Sequence, residues 1–166
     1  FSAVQILAED PSIKVPLHIH RAMHAAFTRN PHHGIHPIVL SKLVRLAGGD
    51  QAHAGSAAGK MESEVIGVRR SYDFLRGEWF GLKNVFPVAS GGIHPGIVPD
   101  NIVTLGQDMI INAGGGIHGH PEGTRAGAAA MLQAIEASMK QISLKDYAKT
   151  HRELRIALEK WSTKFS

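Results

Sequence analysis

The 166-residue sequence predicts a parallel α/β fold, and three observations carry that prediction. Short apolar segments alternate with longer amphipathic ones along most of the chain. Two of the apolar segments, residues 85–90 and 109–113, run into the glycine clusters Ser90-Gly91-Gly92 and Gly114-Gly115-Gly116. Helical sequence follows each cluster. Two such units in succession are how a (β/α)8 barrel holds a phosphate in the loops after its last two strands. Glycine suits the role because a backbone without Cβ lets several N–H groups converge on an anion at a helix start. The expected ligand is phosphorylated.

The elements follow in order. Residues 1–9 read as the end of a helix, with Val4, Ile6 and Leu7 apolar and Asp10-Pro11 as its stop. Residues 15–20 read as a strand, and 35–46 as an amphipathic helix closed by Gly48-Gly49. Residues 51–55 form a short strand, and 56–63 a loop of small residues that carries Lys60. Residues 64–76 read as a helix, 85–90 as the third strand, 96–105 as a helix and 109–113 as the last strand. A long Ala-rich helix spans 122–141. A polar helix or helix pair spans 143–161, with Ser143 placed as its N-cap. These are four strand-to-helix units and a tail. Four units are half of an eightfold barrel, and the chain opens on Phe1 within an element, so it reads as the C-terminal half of something larger.

Composition bounds the function. With 43% hydrophobic and 19% charged residues this is an ordinary globular sequence. It has no cysteine, which excludes disulfides and thiolate metal sites within it. No apolar run approaches the length of a membrane span, and no signal peptide is visible, so a cytoplasmic location is expected. The net charge is +4, yet the only adjacent basic pair is Arg69-Arg70 and aromatics are few. That pattern argues against nucleic acid and suits an anionic small molecule.

The chemistry-bearing residues fall at the strand ends, which a barrel brings to one face. The first strand delivers His18, His20, Arg21 and His24, and the second delivers His53, with Lys60 in the following loop. The third gives Ser90, Gly91 and Gly92, and the fourth Gly114, Gly115 and Gly116. Arg21 offers a planar fork for one phosphate and the glycine amides a cradle for another. His20 and His53 titrate near neutral pH and suit proton transfer. The set fits a sugar bisphosphate with an anion at each end.

His18-Ile19-His20 places two histidines on one strand face, as a zinc site would, but the further His and Asp ligands such a site needs are not evident. Gly114 to Gly119 matches G-x-G-x-x-G, yet the acidic residue about 20 positions on is Glu136, inside the Ala-rich helix, which argues against a dinucleotide. His32, His33, His36 and His151 read as structural or solvated, and His94 and His120 as residues that hold turns.

Those same residues resemble the large chain of ribulose-1,5-bisphosphate carboxylase/oxygenase, especially its archaeal form III. The matching stretches are His18-Ile19-His20-Arg21-Ala22-Met23-His24-Ala25, Gly48-Gly49-Asp50-Gln51-Ala52-His53-Ala54-Gly55, Gly59-Lys60-Met61-Glu62, Val88-Ala89-Ser90-Gly91-Gly92-Ile93-His94, and Gly114-Gly115-Gly116 with Gly119-His120-Pro121. Their order and spacing agree over almost the whole chain. The resemblance implies that residues 1–141 are the C-terminal half of a TIM (β/α)8 barrel and 142–166 a helical extension. It implies that Arg21 and His53 bind one phosphate of ribulose 1,5-bisphosphate, and that Gly91, Gly92, Gly114 and Gly115 bind the other. Ser90 would hydrogen-bond the sugar, and Lys60 would be the mobile-loop lysine that contacts CO2. His20 would assist proton transfer, with His24 supporting it.

The departures are equally informative. The family's Mg2+ is held by a carbamylated lysine and acidic neighbours, and nothing here resembles that cluster. Ala113 stands where the family has a larger residue, and Ile117-His118 where it has a Thr-containing pair. The resemblance therefore implies a chain inactive alone. It would be completed by a polypeptide carrying the N-terminal half, or by identical copies that cover its open sheet edges. The rival functions are a RuBisCO-like enolase or isomerase of a sugar phosphate, and a non-catalytic assembly subunit.

Overall fold

The computed structural model describes residues 1–30, 32–59 and 65–161. Along the chain these form α1 (Ser2–Glu9), β1 (His18–Ile19), α2 (Ala25–Thr28), α3 (Pro37–Leu46), β2 (Gln51–His53) and α4 (Val65–Arg76). Then come β3 (Phe86–Ser90), a 3-10 turn (Pro95–Ile97), α5 (Val98–Leu105), β4 (Ile110–Asn112), α6 (Gly115–His118), α7 (Thr124–Met139), α8 (Leu144–Tyr147) and α9 (Arg152–Trp161). The strands make one parallel sheet in sequential order, β1-β2-β3-β4. Register pairs His18 with Gln51, and His53 with Val88. The α/β alternation expected from the sequence is present.

Element boundaries differ from expectation for identifiable reasons. The first strand shrinks from residues 15–20 to His18–Ile19, because Val15 is 69% exposed and Pro16 has no N–H for a ladder. Leu17 is tied instead through its N–H to the Asp50 carboxylate at 2.7 Å. Helix α3 begins later than expected, at Pro37, because the His36 Nδ1 accepts from the Ile38 N–H and Pro fits the first turn. Its end is a Schellman motif, in which Gly49 N–H reaches the Val44 carbonyl and Gly48 N–H that of Arg45. The one-turn helices α2 and α6 were not expected, since four residues carry no periodicity to read.

The chain divides into two compact units. The first comprises residues 1–55, 63–89 and 108–110. Its core is Val44, Ala52, Val68, Tyr72, Leu75, Val85 and Val88, and α3 packs against α4. Arg45 is 1% exposed there, with no carboxylate partner among the described residues. It donates instead to the carbonyls of Phe74, Leu82 and Lys83 and to Asn84 Oδ1, so burial of the cation is compensated by four hydrogen bonds.

The second unit comprises the described residues of 56–62, 90–107 and 111–166. Helix α7 lies at its centre, against α5, α6 and α9. The alanine content of α7 has a packing reason: Ala130, Ala134 and Ala137 are fully buried, and small side chains let the helices approach closely. Ser143 caps α8, its Oγ accepting from the Asp146 N–H at 3.1 Å, and α8 with α9 forms the anticipated C-terminal pair.

Candidate phosphate-binding sites

In the first unit, four histidines and an arginine gather at the C-terminal ends of β1 and β2. His18 and His53 project from neighbouring parallel strands, and their Nε2 atoms lie 2.7 Å apart. The His20 ring meets His53 edge-on with centroids 4.6 Å apart. His24 caps α2, its Nδ1 2.9 Å from Thr28 Oγ1. His20, Arg21, His24 and His53 line one cavity of about 220 Å³, whose other walls are mostly apolar side chains such as Phe27 and Val44, with Ser41 and Ser71.

Electrostatics single out two of these residues. Burial above all, then the neighbouring His20, His18 and Arg21, pushes the His53 pKa down to about 4, so the ring is neutral at pH 7. Burial likewise depresses Arg21, although a guanidinium stays charged at neutral pH. Its Nη2 is buried and finds no hydrogen-bond acceptor among the described residues. A buried guanidinium donor without an acceptor is what an anion site requires. Arg21 lies against Gly55, where an added Cβ would stand 3.3 Å from Nη2. Burial also lowers His24, helped by Arg21, Arg29 and His20.

In the second unit, Ser90 ends β3 and leads into Gly91 and Gly92, with φ of +100° and +73°. Side-chain-bearing residues rarely adopt this backbone, so glycine is required by conformation here. Gly114 and Gly115 differ. They start α6 with no other heavy atom within 4 Å of where a Cβ would stand, so packing does not demand glycine at either. Gly116 is the steric member of the triplet, because its Cβ would fall 1.9 Å from the Ile93 carbonyl oxygen.

Lys60 lies outside the described residues, as do Met61 and Glu62. The stretch leading to it is anchored by Asn101, a fully buried residue that sequence reasoning passed over. Its Oδ1 accepts from the Ala57 N–H at 2.8 Å, and its Nδ2 donates to the carbonyls of Ala58 and Ile97. An Asn within helical sequence, where it is a weak former, was the available signal. Gln51 and Tyr72 were also passed over: Gln51 Oε1 meets His18 Nδ1 at 2.7 Å, and the Tyr72 hydroxyl donates to the Gly55 carbonyl.

His120 bridges the Glu153 carbonyl and the Glu122 N–H, and His94 stacks on Trp161 at 5.3 Å between centroids. Glu136 pairs with Lys140 on α7. Among the described residues no group of three or more His, Cys, Asp or Glu side chains converges as a metal set. No described helix is long and apolar enough to cross a membrane.

Comparison with known proteins places this geometry. The ribulose bisphosphate carboxylase from Pyrococcus furiosus is 49% identical over 162 residues, covering 97% of this chain and 39% of that protein. The octameric ribulose-1,5-bisphosphate carboxylase/oxygenase from Pyrococcus horikoshii superposes with a TM-score of 0.93 at 45% identity, covering 100% of this chain and 40% of its own. A rubisco-like protein from Alicyclobacillus acidocaldarius superposes with a TM-score of 0.87 at 42% identity, covering 95% and 40%. The chain thus spans about two fifths of the length of these relatives. The family model for the ribulose bisphosphate carboxylase large chain, catalytic domain, matches residues 1–161, and the chain belongs to that family.

Proposed function

We propose that this chain is part of a ribulose-1,5-bisphosphate carboxylase, which enolises the bisphosphate, adds CO2 to the enediol, hydrates the product and cleaves it to two molecules of 3-phosphoglycerate. The observation that carries the reading is the Arg21 Nη2 donor, buried and without an acceptor among the described residues, in the same cavity as the neutral His53. Arg21 and His53 take one phosphate, and the backbone N–H groups of Gly91, Gly92, Gly114 and Gly115 take the other. Ser90 hydrogen-bonds the sugar. His20 moves a proton during enolisation or cleavage, supported by His24. The Lys60 ammonium meets the incoming CO2, where it stabilises the carboxylate charge as it develops.

The family resemblance implies Mg2+, but the described residues supply no converging ligand set, so no residue of this chain is assigned to the metal. The octameric Pyrococcus horikoshii enzyme supports assembly with identical copies.

A second reading has a specific observation behind it. The rubisco-like protein from Alicyclobacillus acidocaldarius is as similar, at 42% identity, as an archaeal Rubisco of known structure. The two readings separate on incorporation of labelled CO2 into acid-stable product from ribulose 1,5-bisphosphate. Carboxylation is expected from the assembled enzyme, and Lys60→Ala is expected to abolish it while leaving exchange of the substrate's C3 proton. Full carboxylation by Lys60→Ala would refute the role given to Lys60; proton exchange without any CO2 incorporation by the native enzyme would favour the rubisco-like reading.

A further inference from the structure

Within the second unit, the segments that carry the two glycine clusters touch each other and rest on the end of one helix. They meet at Gly116, where a Cβ would stand 1.9 Å from the Ile93 carbonyl oxygen and 2.7 Å from His94 Cα. Helix α9 lies against both segments. It packs on the 3-10 turn Pro95–Ile97, with Leu158 Cδ2 3.6 Å from where a Gly96 Cβ would be. Trp161 stacks on the His94 ring, with centroids 5.3 Å apart and planes 8° apart. The same indole reaches the end of α6, its Cζ2 lying 3.7 Å from the Cβ position of Gly119. Lys160 donates to the Gly119 carbonyl, and His120 Nε2 donates to the Glu153 carbonyl at 3.0 Å. Trp161 thus touches both segments at once.

Such support matters for a site built from backbone N–H groups, which has no side chain to adjust. Its affinity depends on where the chain is held, because a hydrogen bond weakens steeply as it departs from linear. Helix α6 does not hold itself. It is one turn of four residues that begins with two glycines, and a single turn fixes many backbone angles for few hydrogen bonds. Its placement must come from packing. Lys160 satisfies a carbonyl at the open C-terminal end of that turn, as helix ends require. Trp161, half-buried, supplies a large flat face that neither a small nor a branched side chain reproduces.

We propose that Trp161 is a positioning residue for the phosphate-binding backbone. It sets the segment 91–94 against the segment 114–119, and Lys160 fixes the end of α6. Their service to a phosphate rests on the assignment of Gly91, Gly92, Gly114 and Gly115 made above; their hold on the backbone does not.

The test is 15N NMR of the backbone amides during a titration with inorganic phosphate. Native protein is compared with Trp161→Leu, Trp161→Phe and Lys160→Met. Phe keeps a flat ring able to stack, and Lys160 is exposed, so its replacement guards against a Leu variant that does not fold. In the native protein the amides of the four glycines are expected to respond to phosphate. In Trp161→Leu the amides of both segments are expected to move before phosphate is added, and affinity to fall about tenfold, the scale of one lost aromatic contact. Trp161→Phe should bring both most of the way back, which a role in stability alone does not predict. Lys160→Met should displace the amides of 115–119 and weaken binding by about two- to fivefold, the scale of one hydrogen bond. Native amide positions in Trp161→Leu, or in Lys160→Met if the Leu variant does not fold, would overturn the proposal. Displaced amides with native phosphate affinity would overturn the service to binding and leave the phosphate assignment standing. Displaced amides in Trp161→Leu, where the native glycines ignore phosphate, would support the hold on the backbone and count against the phosphate assignment alone.

Discussion

The Tyr72 hydroxyl donates a 2.8 Å hydrogen bond to the Gly55 carbonyl oxygen, and both groups are buried. This bond ties α4 to the segment that leaves β2 just after His53, on the side where the Arg21 guanidinium lies against Gly55. A fully buried carbonyl needs such a donor, and burial accordingly pushes the Tyr72 pKa up.

Tyr72→Phe is expected to lower stability by about 1–2 kcal/mol, the cost of leaving the Gly55 carbonyl without its donor. Urea unfolding reads this as a lower midpoint at unchanged slope. An unchanged midpoint would mean that another group already satisfies Gly55.

Histidine titration makes the fold sensitive to mild acid. His53 titrates near 4 in the folded protein and near 6.5 in an unfolded chain, so between those values the unfolded state binds more protons. Stability is expected to fall as pH drops from about 6.5 to about 4, with no contribution from His53 above that window. Burial lowers His94 and His24 too, which adds to the same limb. His53→Gln should flatten the dependence of the unfolding free energy on pH in that range. A limb of equal steepness in the variant would assign the acid sensitivity elsewhere.

The glycine triplet separates packing from binding. Gly116→Ala drives a Cβ into the Ile93 carbonyl and is expected to cost toward the upper end of about 1–3 kcal/mol. Gly115→Ala meets open space and should leave thermal stability nearly unchanged. Its Cβ would nevertheless crowd the amides proposed to hold a phosphate, so phosphate affinity measured by calorimetry should fall several-fold. Equal affinity in Gly115→Ala and native protein would remove Gly115 from the phosphate site.

Much of this was legible in the residues. The Schellman end of α3 was announced by Gly48-Gly49, and the α8 cap by Ser143, because both depend on chemistry within a few residues. The parallel α/β arrangement followed from the alternation of apolar and amphipathic segments, since a helix between two strands returns the chain to run parallel to the strand before it. The outer limits of β1 were not legible. Val15 is a good strand former, but nothing in its neighbours says that Pro16 breaks the ladder and that Asp50, 33 residues on from Leu17, takes over its N–H.

The sequence by itself determined the α/β class, the glycine turns and the identity of the groups able to bind an anion, because these rest on backbone preference and side-chain chemistry that act locally. The tertiary structure decided what those groups are in context. It made His53 neutral by burying it, left Arg21 Nη2 without an acceptor among the described residues, and set His18 between His53 and Gln51. It also recruited Tyr72, Asn101 and Arg45 to satisfy carbonyls and amides far along the chain. Desolvation and hydrogen bonding depend on distances between residues that only folding brings together, so residue types alone do not specify them.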